Sequence, residues 1–584
     1  MVASLLSRSL MLLNILTSTS AAVLGKRTYV ETDNVPKGAP TVSLKNGSYY
    51  GVYNSNYNQD YFLGIPYTQP PLGELRLQVP QSLNETWTGT RNATQYSPEC
   101  IGYGSDTWVL GNDISEDCLT INVVRPSNVA ADAKLPILFW IHGGGFSDGG
   151  SRDPRYNQSF LVQRSVEIGK PIIGVSVNYR LSGWGFLWGE EVATAGVTNL
   201  GFRDQRLALH WVQENIAAFG GDPSKVTIHG ESAGAMSVGT HLVAYGGRND
   251  GLFRAGIAQS GGPITPSYYI NASAWEPNYQ NIVARAGCSS VSDTLACLRT
   301  VPTEQLNTIF NSSDVTSTGI VVIDGDILTE SGTKLTKNGN FVQVPFLIGT
   351  NFDEGTTFGI AGINTTEEFK ESLLSSAPSL TEEVVDKVAE LYPDVPSLGI
   401  PSTLKGRPPA GSPYGAQWKR SAAYGGDLTM HTGRRITTEA WAQYGVPAYS
   451  YHFDVLVHGV SEYIGSTHFQ EVAFVFSNTA GQGYENAVAV DPFANEPATF
   501  DELASIMSTA WISFVNDLDP NSNAFSHKKG INKEGLRWPV YGGKNPSNIV
   551  FNVNMTGLAY VEPDTFRADA IAYMADKFDG VWGR

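Results

Sequence analysis

The sequence predicts an α/β protein built on a large, mostly parallel central sheet flanked by helices. Three observations carry that expectation. Short runs that are apolar almost throughout recur along the chain: LPILFWIH (135–142), PIIGVSVNYR (171–180), KVTIH (225–229), FRAGIAQSG (253–261), VPFLIGT (344–350) and PAYSYHF (447–453). Segments of helical spacing lie between them, such as FRDQRLALHWVQENIAAFG (202–220), which ends at Gly220–Gly221, a helix stop. One serine, in VTIHGESAGAMS (226–237), is held between glycines where a β-run gives way to small residues.

Each element follows from the solvent on its two faces. A strand wetted on one face alternates apolar and polar residues, whereas one that is apolar throughout is buried on both, as in a parallel sheet covered by helices. Strand and helix in alternation therefore predict a doubly wound sheet, whose active site forms at the carboxyl ends of the strands. No repeat, low-complexity tract or Pro/Ser-rich linker divides the 584 residues. Residues 28–584 are accordingly expected to form a single catalytic domain. Residues 1–27 are expected to be a signal peptide with a possible short pro-segment. Arg8, the apolar stretch Leu10–Leu16 and the small Ala21 and Ala22 make a secretory pattern too short to span a bilayer, and the dibasic Lys26–Arg27 offers a processing site. No later apolar run reaches the length of about 18 residues that a membrane helix needs, so a secreted, extracellular protein without a transmembrane anchor is expected.

The charge balance narrows the partners. With 56 acidic against 39 basic residues the formal charge is −17, which repels nucleic acid phosphates. Four cysteines admit three pairings, and their spacing favours two local loops, Cys100–Cys118 and Cys288–Cys297. Closing the shorter loop stabilises by about 2–3 kcal/mol through chain entropy. Eight sequons are glycosylation candidates: Asn46, Asn84, Asn92, Asn157, Asn271, Asn311, Asn364 and Asn554, while the proline after Asn545 blocks a ninth.

The Gly-Glu-Ser-Ala-Gly turn carries the chemistry. A serine on a sharp strand-to-helix elbow takes a strained backbone conformation, and residues two positions away pass so close that only glycine, here Gly230 and Gly234, fits. The hydroxyl of Ser232 is thereby exposed beside the positive end of the following helix. Attack on a carbonyl creates an oxyanion that needs preorganised N–H donors. Ala233 supplies one, and the side-chain-free Gly144 and Gly145 of HGGGF (142–146) supply the others. No Gly-Lys-Ser/Thr follows that loop, so it does not read as a phosphate cradle.

An activated serine also needs a histidine within hydrogen-bond reach, oriented by a carboxylate, in the chain order Ser, acid, His. VPFLIGTNFDEGTTF (344–358) offers Asp353 and Glu354, and spacing alone does not choose between them. Of nine histidines, His431, His452, His458, His468 and His527 lie beyond that point. His452 sits inside a strand run and His527 in a polar loop beside Lys528 and Lys529. His431 begins a helical segment, and His458 and His468 both follow the PAYSYHF strand and remain equal candidates.

FLGIPYTQPPLGELR (62–76), SEDCLTINV (115–123), HGGGF, NLGFRDQRLALHWVQENIAAFGGDP (199–223), VTIHGESAG, the DEGT turn and GSTHFQEVAFVF (465–476) together resemble the type-B carboxylesterases. These are the cholinesterase-like branch of the α/β hydrolases, which includes secreted fungal lipases and sterol esterases. The resemblance runs from about residue 40 to the C-terminus. It implies the α/β-hydrolase fold, Ser232 as nucleophile, Glu354 as the acid and His468 as the base, with the tetrahedral oxyanion on Gly144, Gly145 and Ala233. It agrees with the two local disulfides, implies a structural Arg76–Glu116 ion pair, and requires neither metal nor organic cofactor. The expected substrate is a small-molecule or lipid ester.

Only seventeen residues, IGYGSDTWVLGNDISED, separate Cys100 from Cys118, where the family's interfacially activated lipases carry a long lid. A soluble carboxylesterase is therefore expected ahead of a lipase or sterol esterase. Trp108 stands ten residues before Cys118, the offset at which cholinesterases hold choline by cation–π attraction. An ordinary loop-anchoring role is the expectation for it. A non-catalytic binding protein of the same fold would usually lack a triad member, and this chain keeps all three.

Overall fold

Leu135–Ile141 shows how the sheet is organised. Ile137, Phe139 and Ile141 point to one face and pack in a core with Leu209, Val212, Val238 and Leu242. Leu138 and Trp140 point to the other and pack with Leu161, Trp511 and Phe514. Two apolar faces on one strand require helices on both sides. On the first face these are α2 (Leu200–Asn215) and α3 (Ala233–Gly247), and on the second α1 (Gln158–Glu167) and α4 (Thr499–Asp517).

The structure, a computed structural model, describes residues 27, 30–104, 112–130, 132–264, 274–315, 321–376, 379–395, 404, 406–485, 490–524 and 536–583. The expected signal segment 1–26, Trp108, Asn271 and His527 lie outside these residues. Among the described residues the central sheet has eleven strands. They are β1 (Val52–Asn54), β2 (Gln59–Pro66), β3 (Thr120–Pro126), β4 (Leu135–Ile141), β5 (Ile173–Val177), β6 (Gly221–Glu231), β7 (Ala255–Gln259), β8 (Phe346–Asn351), β9 (Ala448–Phe453), β10 (Ser547–Phe551) and β11 (Ala559–Pro563). Their order is β11-β10-β9-β8-β7-β6-β4-β5-β3-β2-β1. From β10 across to β5 every pairing is parallel, and the flanking pairings are antiparallel. The apolar runs of the sequence thus fall on the parallel strands, as burial on both faces demands.

The winding reverses at β4, which has β5 on one side and β6 on the other. At such a switch point the loops after two adjacent parallel strands part and leave a crevice. The loop after β4 is the glycine loop and the loop after β6 is the Ser232 turn. The predicted disulfides Cys100–Cys118 and Cys288–Cys297 are both formed. Arg76 and Glu116 make the expected buried pair, Nη2 to Oε1 at 2.7 Å. No helix among the described residues is long and apolar enough to cross a membrane.

Phe139 is fully buried at the centre of β4. Phe139→Ala is expected to cost about 3–5 kcal/mol through lost burial and the cavity left behind, read as a lowered denaturant midpoint. An unchanged midpoint would contradict the two-faced packing of β4.

Candidate active site

β6 ends in a turn that only its own sequence permits. Ser232 has φ 55° and ψ −123°, a strained combination costing about 1–3 kcal/mol for a non-glycine residue. A Cβ on Gly230 would stand 2.3 Å from the Gly234 carbonyl carbon, and one on Gly234 would stand 2.1 Å from Ile141 O. Both contacts are impossible, so the motif's glycines are steric requirements. The turn is pinned at both ends: Ser232 N–H donates to Gln259 O at 2.9 Å, and Ser232 O accepts from Met236 N–H at 2.8 Å. Glu231 and Ala233 are buried while Ser232 is half-buried, which leaves the hydroxyl at the tip.

Across the switch point, Gly144 and Gly145 have φ 98° and 61°. Gly144 O accepts from Ser147 and Asp148 N–H at 2.9 and 3.0 Å, whereas neither Gly144 N–H nor Gly145 N–H donates to a protein acceptor among the described residues. The loop's root is fixed by Tyr179, whose ring stacks 4.5 Å from His142 and whose hydroxyl donates to His142 O at 2.9 Å.

Glu354 and His468, the expected acid and base, meet just beyond the end of β8. Glu354 is fully buried. Its Oε1 accepts from Asn351 N–H at 2.8 Å and from the Ser260 hydroxyl, and its Oε2 lies 2.7 Å from His468 Nδ1. The carboxylate therefore fixes the ring with Nδ1 protonated and Nε2 turned the other way. The competing candidates are engaged elsewhere. Asp353 bonds the chain before His468, Oδ2 accepting from Ser466 N–H at 3.0 Å. His431 is buried, with Nδ1 3.0 Å from Thr350 Oγ1. His452 is buried within β9, 3.1 Å from Glu562, and His458 stands 3.9 Å from Glu496.

One expectation is not met. Among the described residues Ser232 Oγ makes no hydrogen bond to His468; Nε2 instead lies 3.3 Å from Oε1 of the adjacent Glu231. The cause is electrostatic. Glu231 is a buried carboxylate whose Oε1 has no hydrogen-bond partner, and the imidazole is the nearest group able to carry compensating charge. Burial pushes the Glu231 carboxyl well above its usual range, opposed by His468 and reinforced by Glu471 and Glu354. Burial alone would lower His468, but the carboxylates of Glu231, Glu354 and Glu471 outweigh it and push the imidazole up to about 9. Glu471 is itself buried and accepts from Gln259 Nε2 at 3.1 Å and Asn351 Nδ2 at 2.7 Å. Burial raises its carboxyl too.

Sequence reasoning did not single out Glu231, Ser260, Asn351 or Glu471. Two of them carried a signal: Glu231 is the one charged residue at the apolar end of β6, and Glu471 follows His468 by one helical turn in GSTHFQE. Among the described residues no group of three or more His, Cys, Asp or Glu side chains is disposed to hold a metal ion.

A mostly parallel sheet that turns through a strained serine into a helix, opposite a glycine loop, defines an α/β hydrolase. The chain belongs to the carboxylesterase family, whose model matches residues 38–563. It is 35% identical over 577 residues to Lipase 2 of Diutina rugosa, covering 91% of this chain and 95% of that protein. It is 36% identical over 541 residues to Secreted lipase 1 of Botryotinia fuckeliana, covering 86% and 88%. The crystal structure of EstA from Aspergillus niger matches with a TM-score of 0.76 at 28% identity, covering 92% of this chain and 98% of that one. Carboxylic ester hydrolysis is the activity class these matches support.

A base must be neutral at Nε2 to accept a proton, so with His468 in the base's expected role activity rises with pH as its imidazolium deprotonates. Glu231→Gln removes the carboxylate that does most to raise His468. The acidic limb of the kcat/KM profile is then expected to move to lower pH. A limb that stays in place or moves upward would show that Glu231 does not load the imidazole.

Proposed function

We propose that this protein is a secreted serine esterase that cleaves carboxylic esters through an acyl-enzyme on Ser232. The observation that carries the reading is the 2.7 Å contact of Glu354 Oε2 with His468 Nδ1, on the loop facing the strained Ser232 turn. Nε2 exchanges Glu231 for the Ser232 hydroxyl and takes its proton as Oγ attacks the ester carbonyl. The carbonyl oxygen gathers negative charge and is held by the N–H groups of Gly144, Gly145 and Ala233. As the intermediate collapses, His468 returns the proton to the departing alcohol. Water then enters, loses a proton to His468 and adds to the acyl carbon. The acid leaves, and Oγ takes the proton back. Glu354 holds the tautomer throughout and stabilises the imidazolium.

For the substrate, the seventeen residues between Cys100 and Cys118 leave little chain for a lid with a broad apolar face, which favours soluble esters. A lipid ester substrate is the second reading, favoured by the names of the relatives, Lipase 2 and Secreted lipase 1. Secretion is supported by the leader-like first residues and by that second relative's name. The sequons at Asn84, Asn92, Asn311, Asn364 and Asn554 are exposed, and we propose them as the glycan acceptors ahead of the half-buried Asn46 and Asn157.

Treatment with an organophosphate followed by peptide mass spectrometry is expected to label Ser232, and Ser232→Ala is expected to lower kcat by about four to six orders of magnitude in a folded protein. Label on another residue, or turnover by that variant near the wild-type rate, would refute the nucleophile. In a series of p-nitrophenyl esters of increasing acyl length, hydrolysis is expected to saturate below the solubility limit. A jump in rate as the substrate passes that limit would favour the lipid reading.

A further inference from the structure

Asp353, left over once Glu354 is taken as the acid, does a different job. We infer that Asp353 is a positioning residue that clamps the loop carrying His468 onto the loop carrying Glu354. The inference rests on the proposed roles of His468 and Glu354.

The clamp has two strands of contact and a steric stop. Asp353 N–H donates to Ser466 O at 2.9 Å, and Asp353 Oδ2 accepts from Ser466 N–H at 3.0 Å. The residue before, Gly465, has φ 69°, and a Cβ there would stand 2.2 Å from Asp353 Oδ2. The carboxylate thus lies directly on the backbone of Gly465. Asp353 is buried, and its neighbour in sequence is Glu354, so the clamp joins the two loops at adjoining positions. His468 lies only two residues beyond Ser466. The stretch between them is a tight turn, Thr467 N–H donating to Gly465 O at 2.9 Å, so a slip of Ser466 relative to Asp353 is passed to the imidazole. The Nδ1 contact to Glu354 alone fixes one end of the ring, whereas turning Nε2 from Glu231 to the hydroxyl demands that the loop itself stay still.

What the clamp needs from residue 353 is an acceptor oxygen of that reach. It does not need the negative charge, which faces the buried Lys419 and the guanidinium of Arg567. The two are separable by substitution. Asp353→Ala removes the acceptor, and a displacement of about 1 Å at the base lowers kcat by about 10- to 100-fold, with KM unchanged because substrate binding is not touched. Asp353→Asn keeps an oxygen acceptor and removes the charge, and is expected to recover most of that loss. Gly465→Ala forces a methyl against Asp353 Oδ2 and is expected to reproduce the kcat loss. In the double variant Asp353→Ala/Gly465→Ala the two losses should not multiply, because both act through one contact.

The test measures kcat, KM and the rate of organophosphate labelling at Ser232 for the full-length wild type and each variant, alongside the thermal midpoint. Expected is a kcat and labelling loss in Asp353→Ala, recovery in Asp353→Asn, and an unchanged KM. Wild-type kcat in Asp353→Ala with only a lowered midpoint would overturn the inference, since the residue would then be merely structural. Asp353→Asn as inactive as Glu354→Gln would also overturn it, because the charge itself would be acting. Should Asp353→Ala fail to fold, Gly465→Ala decides: wild-type kcat there overturns the clamp. Failure of labelling at Ser232 in the wild type would bring down the underlying reading of the site, a result distinct from normal labelling in a wild-type-like Asp353→Ala.

Discussion

Strand register is the constraint on which the rest of the molecule depends. Ile141 pairs with Gly230, Glu231 with Gln259, Gln259 with Gly349 and Asn351 with Phe453. Five neighbouring parallel strands therefore end close to one level. Because a parallel sheet is buried on both faces, a slip of one residue would exchange the side chains meeting the two cores. The packing that holds Ile137 and Phe139 on one face and Leu138 and Trp140 on the other also holds the strand ends in step. The groups just past those ends, Ser232, Ser260, Glu354 and the loop of His468, are gathered along one edge as a consequence. None of these side chains has to specify the alignment itself.

The edge is costly to maintain. Glu231, Glu354 and Glu471 are all buried beside one imidazole, and a carboxylate moved out of water must be hydrogen-bonded or paired to survive there. Glu354 is supplied by Asn351 N–H, Ser260 and His468, and Glu471 by the amides of Gln259 and Asn351. Glu231 is the exception, with one oxygen facing only the imidazole at 3.3 Å. The backbone of Ser232 adds strain to this imbalance. Both burdens sit where a reaction would use them: the strain presents the hydroxyl, and the excess of negative charge favours the imidazolium that appears when His468 takes a proton.

Much of this was legible in the chain, for definable reasons. Runs such as LPILFWI announce a strand buried on both faces because no polar residue interrupts them, and they became the parallel strands. Steric requirements were equally readable, since Gly230 and Gly234 have close neighbours that follow from the turn alone. What spacing could not choose was Glu354 over Asp353 or His468 over His458. Both pairs lie close together on loops after strands, and their orientation depends on contacts with residues more than a hundred positions away, as between Glu354 and His468. Ser260 and Asn351 were invisible for the same reason: nothing in their local sequence distinguishes a hydroxyl or amide aimed at a buried carboxylate from one on the surface. The Glu231–His468 contact was unreadable because it depends on how a buried carboxyl and a partly exposed imidazole compensate each other.

One hydroxyl, one imidazole and the glycine loop are expected to converge on a tetrahedral centre, although the imidazole now rests against Glu231. A crystal structure of the protein phosphonylated by an ester-like inhibitor tests this directly. The prediction is phosphorus bonded to Ser232 Oγ, the phosphonyl oxygen about 2.7–3.1 Å from the N–H groups of Gly144, Gly145 and Ala233, and His468 Nε2 withdrawn from Glu231 towards the ester oxygens. A phosphonyl oxygen turned to solvent, or an imidazole still held on Glu231 with Ser232 modified, would contradict it.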